Sequence, residues 1–159
     1  MPQLVVGISD FKVSAQAEDV IVTYSLGSCL GVAVWDPVRR MGGLVHCLLP
    51  LAMANPDKAR EKPAMFVNSG VSKLIRDLLG RGCKREFLVI KAVGGATMMG
   101  ADKVFQTGAR NIASLSRLLE KNGLKLAASE LGGSVPRTMS LTIATGEVTV
   151  RSGSEGRAL

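Results

Sequence analysis

Residues 20–50 decide the fold. The stretch opens with the β-branched run Val20-Ile21-Val22-Thr23-Tyr24 and passes through Leu26-Gly27-Ser28-Cys29. It continues as a compact apolar segment over 30–35, turns at Asp36-Pro37, and resumes at Gly42-Gly43 with Leu44-Val45-His46-Cys47-Leu48-Leu49 before Pro50. β-Branched and apolar runs of this length predict strands, and Asp-Pro predicts a turn. Pro50 ends the last strand, because proline cannot donate to a ladder. Strand–turn–strand over 30–49 predicts an antiparallel pair, although 30–34 could also open a helix.

Outward from this centre, residues 4–8 read as a further strand. After a polar, irregular stretch over 51–62, Val67, Val71, Leu74, Ile75, Leu78 and Leu79 recur at helical spacing, and Gly80 and Gly82 stop that helix. Residues 87–93 form a nearly unbroken apolar run, expected as a buried central strand that ends in a tight turn at Gly94-Gly95. A second helix carries Ile112, Leu115, Leu118 and Leu119 and closes at Asn122-Gly123. Residues 124–129 suggest a strand, and 139–144 and 147–151 flank a hairpin turn at Thr145-Gly146. Residues 152–159 are small and polar and are expected as a flexible tail beyond a single domain over 1–151. The class expected is α+β, with mixed sheet and helices in layers.

The chain has 159 residues, enough for one domain with a sizeable core. It carries 20 basic residues against 13 acidic ones, a formal charge of +7, which favours acidic partners. Basic residues never run beyond two, and only 4% of the chain is aromatic, so nothing provides a platform for stacking bases. That argues against a nucleic-acid binder. No apolar run approaches the ~20 residues of a membrane helix. The start of the chain lacks the pattern of a signal peptide. Three cysteines, an odd number, suggest free thiols in a reducing, cytoplasmic compartment.

One histidine, His46, offers the chain its one imidazole base. Cys29 follows a predicted strand in a Gly27-Ser28 turn, where small residues let a substrate approach the backbone. A helix beginning at this turn would favour the thiolate. One imidazole can take the thiol proton and later protonate a leaving group, so the pair suits nucleophilic hydrolysis. Cys47 is the poorer nucleophile, since alternation in a strand turns it away from His46. Cys83 has no histidine nearby in sequence. Zinc is a weak alternative, because no Cys-x-x-Cys pair exists. A third group should orient the ring, with Asp36 and Thr23 among many candidates.

Leu26-Gly27-Ser28-Cys29, Gly42-Gly43-Leu44-Val45-His46, Leu48-Leu49-Pro50, Lys91-Ala92-Val93-Gly94-Gly95-Ala96, Gly108-Ala109-Arg110-Asn111 and Gly132-Gly133 occur in that order. As an ordered set, over about residues 4–151, they resemble the chemoreceptor glutamine deamidase family, CheD. The resemblance implies deamidation of chosen receptor glutamines to glutamate, with no metal or cofactor. Implied partners are chemoreceptor cytoplasmic domains and, for some members, a phosphatase of the CheC type. The family's nucleophile falls on Cys29, its histidine on His46 and its threonine on Thr23, with Gly27 and Ser28 in the oxyanion-binding turn. The fold implied is a layered sandwich similar to cysteine deamidase toxins. Three positions depart from the family pattern: Ser25 stands for a glycine, and Pro63 and Pro136 interrupt the common Lys-Tyr and Gly-Arg-Thr.

Overall fold

The computed structural model describes residues 3–100 and 104–159. The chain folds into two five-stranded sheets. One sheet has the order β1 (Gln3–Val5), β3 (Val20–Leu26), β8 (Arg137–Thr142), β9 (Val148–Ser152), β10 (Glu155–Ala158). The other has the order β2 (Asp10–Ser14), β5 (Met41–Cys47), β4 (Leu30–Asp36), β6 (Val89–Gly94), β7 (Leu126–Leu131). The helices α1 (Pro56–Glu61), α2 (Val67–Gly80) and α3 (Thr107–Lys121) complete the α+β domain. Among the described residues, no helix is long and apolar enough to cross a membrane.

Alternation along the central strands creates two cores. On β4, Leu30, Val32 and Val34 face α2 and α3, where they meet Val71, Leu74, Leu78 and Leu115. Ala33 on β4 and Leu44 on β5 face the other sheet and pack with Ile21, Leu26, Met139 and Leu141. The layers are therefore sheet, sheet, helices. β4 pairs antiparallel with both β5 and β6. Its interior position explains why 30–35 is apolar throughout and settles the strand reading over the helix. The expected strand over 87–93 is β6, the expected helices are α2 and α3, and Thr145-Gly146 lies between β8 and β9.

Three regions differ from expectation, the first being 10–14, which had no predicted element and forms β2. Residues 51–62 are not wholly irregular: Asn55 caps α1 by accepting from the Lys58 N–H, with Pro56 in the first turn. The expected flexible tail over 152–159 instead contains β10, paired antiparallel with β9. Arg157 secures it by donating from Nε to Glu130 Oε1 of β7 at 2.6 Å. The Leu159 N–H donates to Val148 O at 2.8 Å, and Lys91 Nζ donates to Leu159 O at 3.0 Å. Small polar composition hid these long-range partners.

Candidate active site

Strand β3 ends at Leu26 and β4 begins at Leu30, so Gly27, Ser28 and Cys29 form the connection. The approach is bent: Ser25 has φ of 58°, and the β3–β8 register shifts between Thr23 and Leu26. The turn after β6 braces the connection. The Gly95 N–H donates to Cys29 O and the Ala96 N–H to Gly27 O, each at 2.9 Å. Gly94 has φ of 118°, and a Cβ there would lie 2.3 Å from Cys29 O, so only glycine fits this close approach. No helix starts at Cys29, because residues 30–35 are paired on both sides as a strand. The helix-dipole contribution considered for the thiol is therefore absent.

His46 lies on β5 opposite Gly31 of β4, and it faces the other sheet. There its Nδ1 lies 2.7 Å from Thr23 Oγ1 of β3. Thr23 Oγ1 also donates to Val6 O at 2.8 Å. A hydroxyl carries one proton, and a carbonyl can only accept. The Thr23 proton therefore goes to Val6 O, and Nδ1–H donates to Thr23 Oγ1. This accounting leaves Nε2 as the unprotonated, basic nitrogen. Nε2 is buried and has no hydrogen-bond partner among the described residues. Burial lowers the His46 pKa from 6.5 to about 4, so the ring is neutral near pH 7 and able to accept a proton.

Cys29 belongs to the same inter-sheet layer as Ala33 and Leu44. It stands in the connection two positions before Gly31, the partner of His46, and lies on the inter-sheet side that His46 also faces. Cys29 is buried, with 8% of its surface exposed. Cys47 points the other way, into the core under α2, where burial first and Cys29 second push its thiol pKa up. Cys83 is buried beside Asp36, and burial followed by the Asp36 charge raises it to about 11. Asp36 is spent on the N–H groups of Val38, Arg39 and Lys84 and does not reach the His46 ring. Among the described residues, no group of three His, Cys, Asp or Glu side chains is placed to hold a metal ion.

Sequence reasoning did not single out Asn111 by itself. The residue is fully buried on α3, and its Nδ2 donates to Ser28 O at 2.9 Å and Leu48 O at 3.2 Å. The available signal was an amide side chain one turn before Leu115, on the apolar face of an amphipathic helix.

The profile of the CheD family, described as chemotactic sensory transduction, matches residues 48–152. Full-length relatives also cover Thr23, Cys29 and His46. A probable chemoreceptor glutamine deamidase CheD of Solibacter usitatus is 38% identical over 159 residues, which is 100% of this chain and 94% of that protein. The probable chemoreceptor glutamine deamidase CheD 2 of Anaeromyxobacter dehalogenans is 39% identical, covering 98% of each chain. A probable chemoreceptor glutamine deamidase CheD of Thermococcus kodakarensis is 36% identical over 97% of this chain and 95% of its own length. A family profile matching most of the chain and relatives matching end to end lead to one conclusion: this chain belongs to the CheD family.

Proposed function

We propose that the protein is a cysteine hydrolase that converts glutamine side chains of chemoreceptor cytoplasmic domains to glutamate, releasing ammonia. The observation that carries the mechanism is the Thr23–His46 hydrogen bond, which leaves Nε2 basic on the inter-sheet side shared with Cys29. The relatives' names carry the substrate class. The formal charge of +7 suits acidic receptor surfaces.

In the first half-reaction, His46 Nε2 takes the Cys29 thiol proton and Sγ attacks the carboxamide carbon. The oxyanion is met by N–H groups of the Gly27-Ser28-Cys29 turn. As the tetrahedral species collapses, the C–N bond breaks and the proton on Nε2 goes to the leaving nitrogen. Ammonia departs and a thioester remains. In the second half, His46 takes a proton from water, hydroxide attacks the thioester carbon, and the C–S bond breaks to give glutamate and the thiol. Thr23 holds the ring throughout without adding charge. A phosphatase of the CheC type, which the resemblance implies for some family members, is a second candidate partner.

The test is incubation with receptor cytoplasmic domains followed by peptide mass spectrometry. Conversion of specific glutamines to glutamate is expected. Unchanged glutamines alongside hydrolysed glutamyl methyl esters would replace the amidase reading with an esterase one.

A further inference from the structure

The β4–β5 ladder ends at the pair Leu30–Cys47. Immediately beyond it, the backbones of 28–29 and 48–49 separate, and Asn111 fills the fork. An amide side chain with no exposure is costly to bury unless it is hydrogen-bonded, and both arms of Nδ2 are used, on Ser28 O and Leu48 O. α3 reaches this position by lying directly on the bracing turn: a Cβ at Gly108 would be 2.3 Å from Ala96 O.

The bond to Ser28 O has a consequence for chemistry. Ser28 C=O and Cys29 N–H belong to one planar peptide unit, and the described chain has no cis bonds, so the two groups point in opposite directions. Turning Ser28 O into α3 turns the Cys29 N–H away from it. The preceding plane is fixed in the same way, because Gly27 O is held by the Ala96 N–H. One plane of the nucleophile turn is thus set by backbone, and the other by a side chain.

We propose that Asn111 is a positioning residue that sets the direction of the Cys29 N–H toward the developing oxyanion, while its second bond ties the turn to the strand that carries His46. This inference rests on the hydrolase reading above. Without the Nδ2 donors, Ser28 O loses the side-chain bond that sets the 28–29 plane.

The test compares two reactions of one thiol. Glutamine hydrolysis passes through an oxyanion. Alkylation by iodoacetamide forms Sγ–C and breaks C–I with no oxyanion, so it does not use the hole. In Asn111→Ala, kcat for ammonia release should fall on the order of 100-fold with KM little changed, as for other lost oxyanion donors. The Cys29 alkylation rate should stay within about threefold, on the premise that this reaction has no oxyanion for the N–H to stabilise. Asn111→Asp keeps the volume but loses the donors, and should show the same split if the alanine variant does not fold. In unsubstituted protein, the Asn111 side-chain amide protons should exchange slowly with solvent, and fast exchange would overturn the geometry. Equal loss of both reactions in a folded variant would mean that Asn111 merely supports Cys29. Retention of full kcat would end the inference while leaving the hydrolase intact. An unsubstituted protein that releases no ammonia would remove the functional reading and this inference together.

Discussion

Thr23 Oγ1 and His46 Nδ1 meet at 2.7 Å across the gap between two different sheets. Neither sheet alone makes the site: β3 supplies the threonine and β5 the histidine, and the sandwich brings them together. The contact therefore also depends on how the layers pack.

Thr23→Val removes the acceptor for Nδ1–H and leaves a buried donor unpaired, which costs about 1–3 kcal/mol. The valine variant should lose at least about tenfold in kcat, because the ring is free to present the wrong nitrogen. Thr23→Ser keeps the hydroxyl and should retain most activity. Equal activity of both variants would show that the hydroxyl does not orient His46.

His46 also couples stability to pH. Its pKa is about 4 in the folded protein against 6.5 for the free side chain. Between those values the unfolded chain binds a proton that the folded one does not, so stability is full above pH 6.5 and falls as pH drops toward 4. The whole effect is on the order of 3 kcal/mol. Glu130 is held low by its hydrogen bond to Arg157 and contributes at lower pH still. Urea melts of the protein and of His46→Gln at pH 7.5 and 5 check this. The unsubstituted protein should lose more stability than the variant on acidification.

Much of this arrangement was legible in the sequence. The run 87–93 predicted an interior strand because strands paired and covered on both faces are apolar throughout, whereas 30–34 could be strand or helix until its pairing on both sides settled it. Cys29 and His46 stood out because a Gly-Ser turn and a lone imidazole are chemically distinctive. Asp36 and Thr23 were not separable by spacing; the resemblance chose Thr23, and the structure places its hydroxyl on the ring. Strand β2 and strand β10 were missed for a common reason. Their residues are polar or half-exposed, and their order comes from partners distant in sequence, such as His46 opposite Asp10 and Glu130 beside Arg157. Asn111 gave no chemical signal alone, since its role depends on which carbonyls α3 reaches.

The three thiols should differ in reactivity. Cys47 has no exposed surface and a raised pKa, and Cys83 is 5% exposed and raised to about 11. Cys29 is 8% exposed and lies on the inter-sheet side that His46 faces. Iodoacetamide should label Cys29 first in the folded protein, and His46→Ala should slow that labelling. Peptide-resolved rates check the order, and faster labelling of Cys83 would contradict it.

Ser25 holds a positive φ of 58° where the family pattern has glycine. A non-glycine residue there costs roughly 1–2 kcal/mol, partly offset by the greater freedom of glycine in the unfolded chain. Ser25→Gly should therefore leave the protein unchanged or stabilise it by up to about 1 kcal/mol. A thermal melt that shows clear destabilisation would mean that the serine side chain supports the bend.

The most direct measurement is ammonia release from a receptor cytoplasmic domain by Cys29→Ala, His46→Ala and the double variant, each shown to be folded. If the two residues form one nucleophile–base unit, either single substitution abolishes nearly all activity, and the double variant is scarcely worse. An active Cys29→Ala variant, or a double variant whose loss approaches the product of the single losses, would contradict the account.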